Sequence, residues 1–84
     1  MTGRNADGRN ENWFDRGYRK GFEFAWYEAD YDELAAVSRA GTIPVNWDLF
    51  RAEILNRHLA SHCFDFQAYS AGFAKACMDI FEQI

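Results

Sequence analysis

The chain has 84 residues and a net charge of −4, which bounds it to one small domain and disfavours a general basic field for nucleic acid or anionic lipid. Its hydrophobic fraction of 49% argues for a folded core, and no run approaches the ~18 apolar residues that a membrane-crossing helix needs. Met1 to Gly8 shows no apolar region behind a basic one, so no secretory signal is expected, and the two cysteines read as reduced thiols of a cytoplasmic protein.

Residues 1–11 are dominated by Gly, Asn, Asp, Arg and Glu and read as a flexible polar tail, which leaves 12–84 as a single helical domain. Asn10 or Asn12 can cap a first helix spanning about 13 to 29, with Asp15 near the positive end of its dipole. Phe14, Tyr18, Phe22 and Trp26 form an aromatic ridge on this helix, expected to close over a neighbouring helix. Asp15, Arg19 and Glu23 form a second row of alternating charge that suits water. Gly17, Gly21, Ala25 and Ala29 recur every four residues, and helical residues at that spacing lie one above the other. Glycine costs a helix about 1 kcal/mol relative to alanine, so close approach of another backbone is the expected compensation.

Asp30 or Asp32 starts a short second helix through Leu34, Ala35, Ala36 and Val37, with Gly41 as its C-terminal cap. Thr42 to Val45 is an extended connector by the residue-before-proline rule, and the one stretch able to form a short strand. Asn46 is the expected cap of a third helix, with Asp48 in its first turn. Trp47, Phe50, Ile54, Leu55 and Leu59 supply its apolar face, Arg51, Asn56 and Arg57 its wet side, and Ser61-His62 its end.

A fourth helix begins near Asp65 and runs to the C-terminus. Phe66, Tyr69, Phe73, Ala76, Cys77, Ile80 and Ile84 fall on one face, and Lys75, Asp79, Glu82 and Gln83 on the other. It carries a second small-residue stripe, Ala68, Gly72 and Ala76, and Tyr69-Ser70-Ala71-Gly72-Phe73 echoes Tyr18-Arg19-Lys20-Gly21-Phe22. The expected fold is therefore all-α: a small compact bundle of four helices, the second short. The similar first and last helices pack closely through their Gly/Ala stripes, within one chain or across a dimer axis.

His58 and His62 stand four apart with Cys63 following, a spacing that can hold a divalent ion. The zinc-protease pattern needs glutamate where Leu59 stands, and Asp65 or Cys77 are the nearby residues able to complete a ligand set. His58, His62 and Cys63 are thus weak metal candidates; no cofactor is expected, and the histidines suit the negative end of the third helix's dipole. No nucleophile, base and orienter can be assembled, so no enzyme or small-molecule substrate is expected. Arg16, Arg19 and Lys20 form a small basic cluster flanked by Asp15 and Glu23, without a recognition helix, zinc finger or phosphate loop, which disfavours nucleic acid.

Glu23, Glu28, Asp30, Asp32 and Glu33 make an acidic stretch without an intervening Lys or Arg. Helix capping accounts for two of them; as a patch they fit an acidic inhibitor or decoy, of the kind mobile elements use, aimed at basic host nucleic-acid machinery. The stronger signal is aromatic surplus: Trp13, Trp26 and Trp47 with Tyr27 and Tyr31 exceed what so small a core hides. The expected function is a non-enzymatic protein–protein interaction module, self-associating as a homodimer, with Trp13, Trp26, Trp47, Phe22 and Phe73 as contacts.

Overall fold

Asn12 starts the first helix: its side-chain oxygen accepts from the amides of Phe14 and Asp15 at 2.9 and 3.3 Å. In the computed structural model, which describes residues 12–61 and 63–84, this helix is α1, Trp13–Tyr27. It is followed by α2, Tyr31–Ala40; α3, Asp48–Arg57; and α4, Phe66–Phe81. No strand occurs among the described residues, and none of the helices is long and apolar enough to cross a membrane. The polar tail expected over residues 1–11 lies outside the described residues, as does His62.

The stripes meet within the chain. A methyl group placed on Gly17 would lie 2.6 Å from the carbonyl carbon of Tyr69 and closer still to its oxygen. Gly21 meets the Phe73 backbone in the same way, and Gly72 reciprocates against the backbone of Phe14 and Tyr18. Each glycine therefore turns an α-hydrogen toward the opposing helix where any other residue would place a Cβ. The close approach leaves no room for large rings between α1 and α4. The core forms beside that seam, with Phe24, Leu34, Val37, Ile43, Ile54, Tyr69, Phe73, Cys77 and Ile80 buried.

The short helix α2 has the boundaries its punctuation dictates. Asp30 and Glu33 form a reciprocal capping box, the Glu33 amide donating to Asp30 at 2.8 Å and the Asp30 amide to Glu33 at 3.0 Å. Gly41 closes the helix at φ 72°, its amide donating to the Val37 carbonyl at 2.9 Å. Asp65 caps α4 by accepting from the Ala68 amide at 3.1 Å.

The middle of the chain departs from the expected pattern. Trp47, not Asn46, is the N-cap of α3, and it makes no side-chain capping bond. Only Ile54 of α3 is fully buried; Leu55 is largely exposed, and Leu59 lies beyond the helix because His58 already serves as its C-cap. The connector forms no strand, yet Ile43 is completely buried. Its amide donates to the Ser70 hydroxyl at 2.7 Å, and the Thr42 hydroxyl shares a hydrogen bond with the same oxygen. Arg51 donates to the Ile43 carbonyl at 3.1 Å while its guanidinium lies over the Phe66 ring at 4.7 Å. A buried serine thus replaces sheet pairing as the partner for extended backbone.

Candidate interaction surface

With the glycine seam on its inner side, α1 presents its aromatic ridge outward instead of closing it over a neighbour. Phe14 is 37% exposed, Phe22 43% and Trp26 57%, and Tyr27 beside them is 83% exposed. The Phe22 ring lies 6.5 Å from Tyr18 and 6.2 Å from Trp26, so these three rings form a continuous row. Tyr18 alone in this row is pinned: its hydroxyl donates to Asp79 of α4 at 2.6 Å, and Lys75 donates to the other carboxylate oxygen at 2.8 Å. These bonds hold the Asp79 carboxyl below the usual carboxylate range, the lysine bond acting most strongly, and the Asp79 bond raises the Tyr18 phenol.

A shallow groove separates the ridge from the charged row, lined by Asp15, Tyr18, Arg19, Phe22, Glu23 and Tyr27. Its apolar wall is the ridge, and its polar wall carries charges of both signs.

The other expected contacts sit differently. Phe73 is fully buried, 5.2 Å from Phe24 and 5.6 Å from Phe50, so it is a core residue and cannot touch another molecule. Its position on α4 directly behind the seam explains this, since side chains there meet α2, α3 and the connector. Trp13 and Trp47 are half-buried against the core rather than displayed. Trp13 packs edge-on against His58 at 5.2 Å and Phe64 at 4.9 Å, and Trp47 packs edge-on against Phe50 at 5.8 Å and at a tilt against Phe24 at 6.0 Å. Phe22 and Trp26 are exposed, and Gly17, Gly21, Ala25, Gly72 and Ala76 are buried along the helix contact, with Ala68 at its partly buried edge.

Of the acidic residues, Asp30 and Glu33 are engaged in the capping box, and Glu23 lies 4.0 Å from Lys20. Glu28 and Asp32 are exposed near the turn between α1 and α2. His58 is buried among the rings of Trp13, Phe64 and Tyr69, while Cys63 is exposed. Among the described residues, no three His, Cys, Asp or Glu side chains are grouped to hold a metal ion. Cys77 is buried, its thiol pushed up to about 12 by burial and donating to the Gly21 carbonyl at 3.8 Å.

One constellation is not visible in the sequence. Arg57 at the end of α3, with His58 and Tyr69, joins the basic cluster of α1, so that Arg16, Arg19, Lys20 and Arg57 line one depression of about 170 Å³ together with Glu23. Residues 16 and 57 are far apart along the chain, and no local pattern announces their meeting. Comparison of the chain with family models, curated proteins and solved structures finds no match.

Proposed function

We propose that the protein is a non-enzymatic protein–protein interaction module that pairs with a second copy of itself through the outer face of α1. The observation that carries this reading is the exposed row of Phe14, Phe22 and Trp26 with Tyr27 beside it. At about 200 Å² per ring, their exposed fractions amount to roughly 400 Å² of aromatic surface. That lies within the range of the largest apolar patches on monomers, ~300–600 Å², and supplies about half of the ~800 Å² each partner contributes to a stable interface.

Charge order along the helix favours a second copy as the occupant. When two α1 helices run antiparallel about the level of residue 21, Arg19 of each faces Glu23 of the other. In the same register Phe22 seats between Phe22 and Tyr18 of the second copy, and Trp26 between Tyr18 and Phe14. Isologous pairing makes each favourable contact twice. The Gly/Ala stripes take no part, because they are already occupied within the chain.

Native mass spectrometry and light scattering across a dilution series test this reading. The expected result is a two-chain mass that Phe22→Ser with Trp26→Ser converts to one chain. Arg19→Glu weakens the dimer severalfold, and Arg19→Glu combined with Glu23→Arg restores it. A single-chain mass at all concentrations, or a double charge swap no better than the single change, removes self-association as the function.

A further inference from the structure

The flank of α1 that faces α3 carries a concentration of positive charge at odds with an acidic chain. Of the nine Lys and Arg residues, Arg4 and Arg9 lie outside the described residues, and four of the remaining seven line the single depression over Tyr69. Two carboxylates stand beside it at long range, Glu23 4.0 Å from Lys20 and Glu53 3.9 Å from Arg57. Asp15, which flanks the basic cluster in sequence, lines the aromatic groove together with Arg19 and Glu23. Arg16 is held over the Trp13 ring at 5.0 Å, which limits the freedom of its guanidinium.

The inner wall is chemically suited to an oxyanion. Tyr69 is 3% exposed, and burial, acting more strongly than the opposing fields of Arg57 and Arg16, raises its pKa. The phenol therefore stays protonated and presents an O–H donor at neutral pH. Tyr69, Lys20 and two arginines line the same depression, with Arg57 and Arg16 close enough for their fields to act on the phenol, and these are donor types that phosphate oxygens accept from strongly.

We propose that Arg16, Lys20, Arg57 and Tyr69 form a binding site for a single phosphate group, free or singly esterified. The volume of about 170 Å³ is below the ~300–1,000 Å³ of sites that enclose small organic ligands, so the site takes one tetrahedral group and not a whole nucleotide. Glu23 and Glu53 beside it and the net charge of −4 oppose a continuous polyanion. The phosphate is carried either by inorganic phosphate or by a phosphorylated side chain of a protein. Arg19 and Glu23 border both this depression and the pairing face, but the proposed donors Arg16, Lys20, Arg57 and Tyr69 are not pairing contacts, so the two readings are tested by different substitutions.

The test is a titration of the ¹⁵N-labelled full chain with inorganic phosphate, with a phosphoserine peptide and with a single-stranded oligonucleotide, each against chloride at matched ionic strength. The guanidinium Nε–H signals of Arg16 and Arg57 are the readout. Saturable shifts with phosphate or phosphopeptide are expected. Lys20→Gln and Arg57→Gln each weaken binding about tenfold, whereas Arg39→Gln leaves it unchanged. Both informative substitutions are on helix surfaces, and far-ultraviolet circular dichroism verifies the fold. Tighter binding of the phosphopeptide than of inorganic phosphate identifies a phosphorylated protein as the source, and the reverse identifies the free ion. Shifts no larger than those with chloride, insensitivity to Arg57→Gln and Lys20→Gln, or preference for the oligonucleotide overturns the assignment.

Discussion

The Tyr18 hydroxyl donates to the Asp79 carboxylate at 2.6 Å across 61 residues of sequence, and it couples the exposed face of α1 to the later turns of α4. Lys75 holds the second oxygen of the same carboxylate, so both oxygens of Asp79 are engaged. Because the carboxyl is depressed in the folded chain, its contribution is present above the ordinary carboxylate pKa. It is lost as pH falls through the lowered value. The Tyr18 phenol is raised, so its contribution is present below its ordinary pKa and is lost as pH rises through the raised value. Thermal midpoints measured from acid to alkaline pH are therefore expected to decline at both ends. Asp79→Asn flattens the acid limb and Tyr18→Phe the alkaline one; unchanged limbs in both variants would show that this bond adds nothing to stability.

The glycines divide into two kinds, with different penalties for substitution. Gly17 and Gly72 face opposing backbone, which cannot move aside as a side-chain tip can. Gly72→Leu is expected to destabilise by about 3 kcal/mol or more, with loss of the cooperative thermal transition. Gly41 has open space around its Cβ direction and only its φ of 72° to satisfy. Gly41→Ala should cost about 1 kcal/mol, a backbone effect alone. Denaturant unfolding of the two variants side by side separates packing from conformational strain, and equal penalties would contradict the seam.

Ser70 is the polar anchor of the connector. Ser70→Ala leaves the buried Ile43 amide without an acceptor, at an expected cost of about 1–3 kcal/mol. Amide exchange at Ile43 should accelerate more than exchange at core positions of α4. Uniform acceleration would mean that the connector does not open separately from the bundle.

The two thiols differ in access. Cys63 is exposed, whereas Cys77 is buried with its thiol pushed up to about 12. Iodoacetamide at neutral pH is expected to add one label to the native chain, at Cys63, and to reach Cys77 only after unfolding. Equal labelling rates would show that the seam opens readily, since Cys77 donates to the Gly21 carbonyl there.

Features that depend on neighbours in sequence were legible without coordinates. The four-residue spacing of Gly17 and Gly21 and the Gly41 stop are each written within one or two helical turns and occur as read, while of the two starts open for α2 the chain uses Asp30, with Glu33 completing the box. The third helix was harder, because its apolar residues do not hold to one face: Leu49 is 89% exposed while Ile54 is buried. Asn46 is a good capping type, but the chain places Trp47 there, where its ring packs on Phe24 and Phe50. Phe73 illustrates a different limit. Its neighbours Ala74, Ala76 and Cys77 are small, and only tertiary placement shows that several elements converge on it. The meeting of Arg57 with Arg16 and Lys20 has the same origin, a relation between helices that no periodicity encodes.

The seam of glycine hydrogens and carbonyl groups also separates two inheritances carried by one helix. Positions 17 and 21 cannot accept even a methyl group without displacing α4, so they must stay as they are for the bundle to exist. Positions 14, 19, 22, 23 and 26 are on the outer side of the same helix and are open to solvent. A descendant of this chain can therefore acquire a new address on α1, one surface residue at a time, while the scaffold beneath it is passed on unaltered.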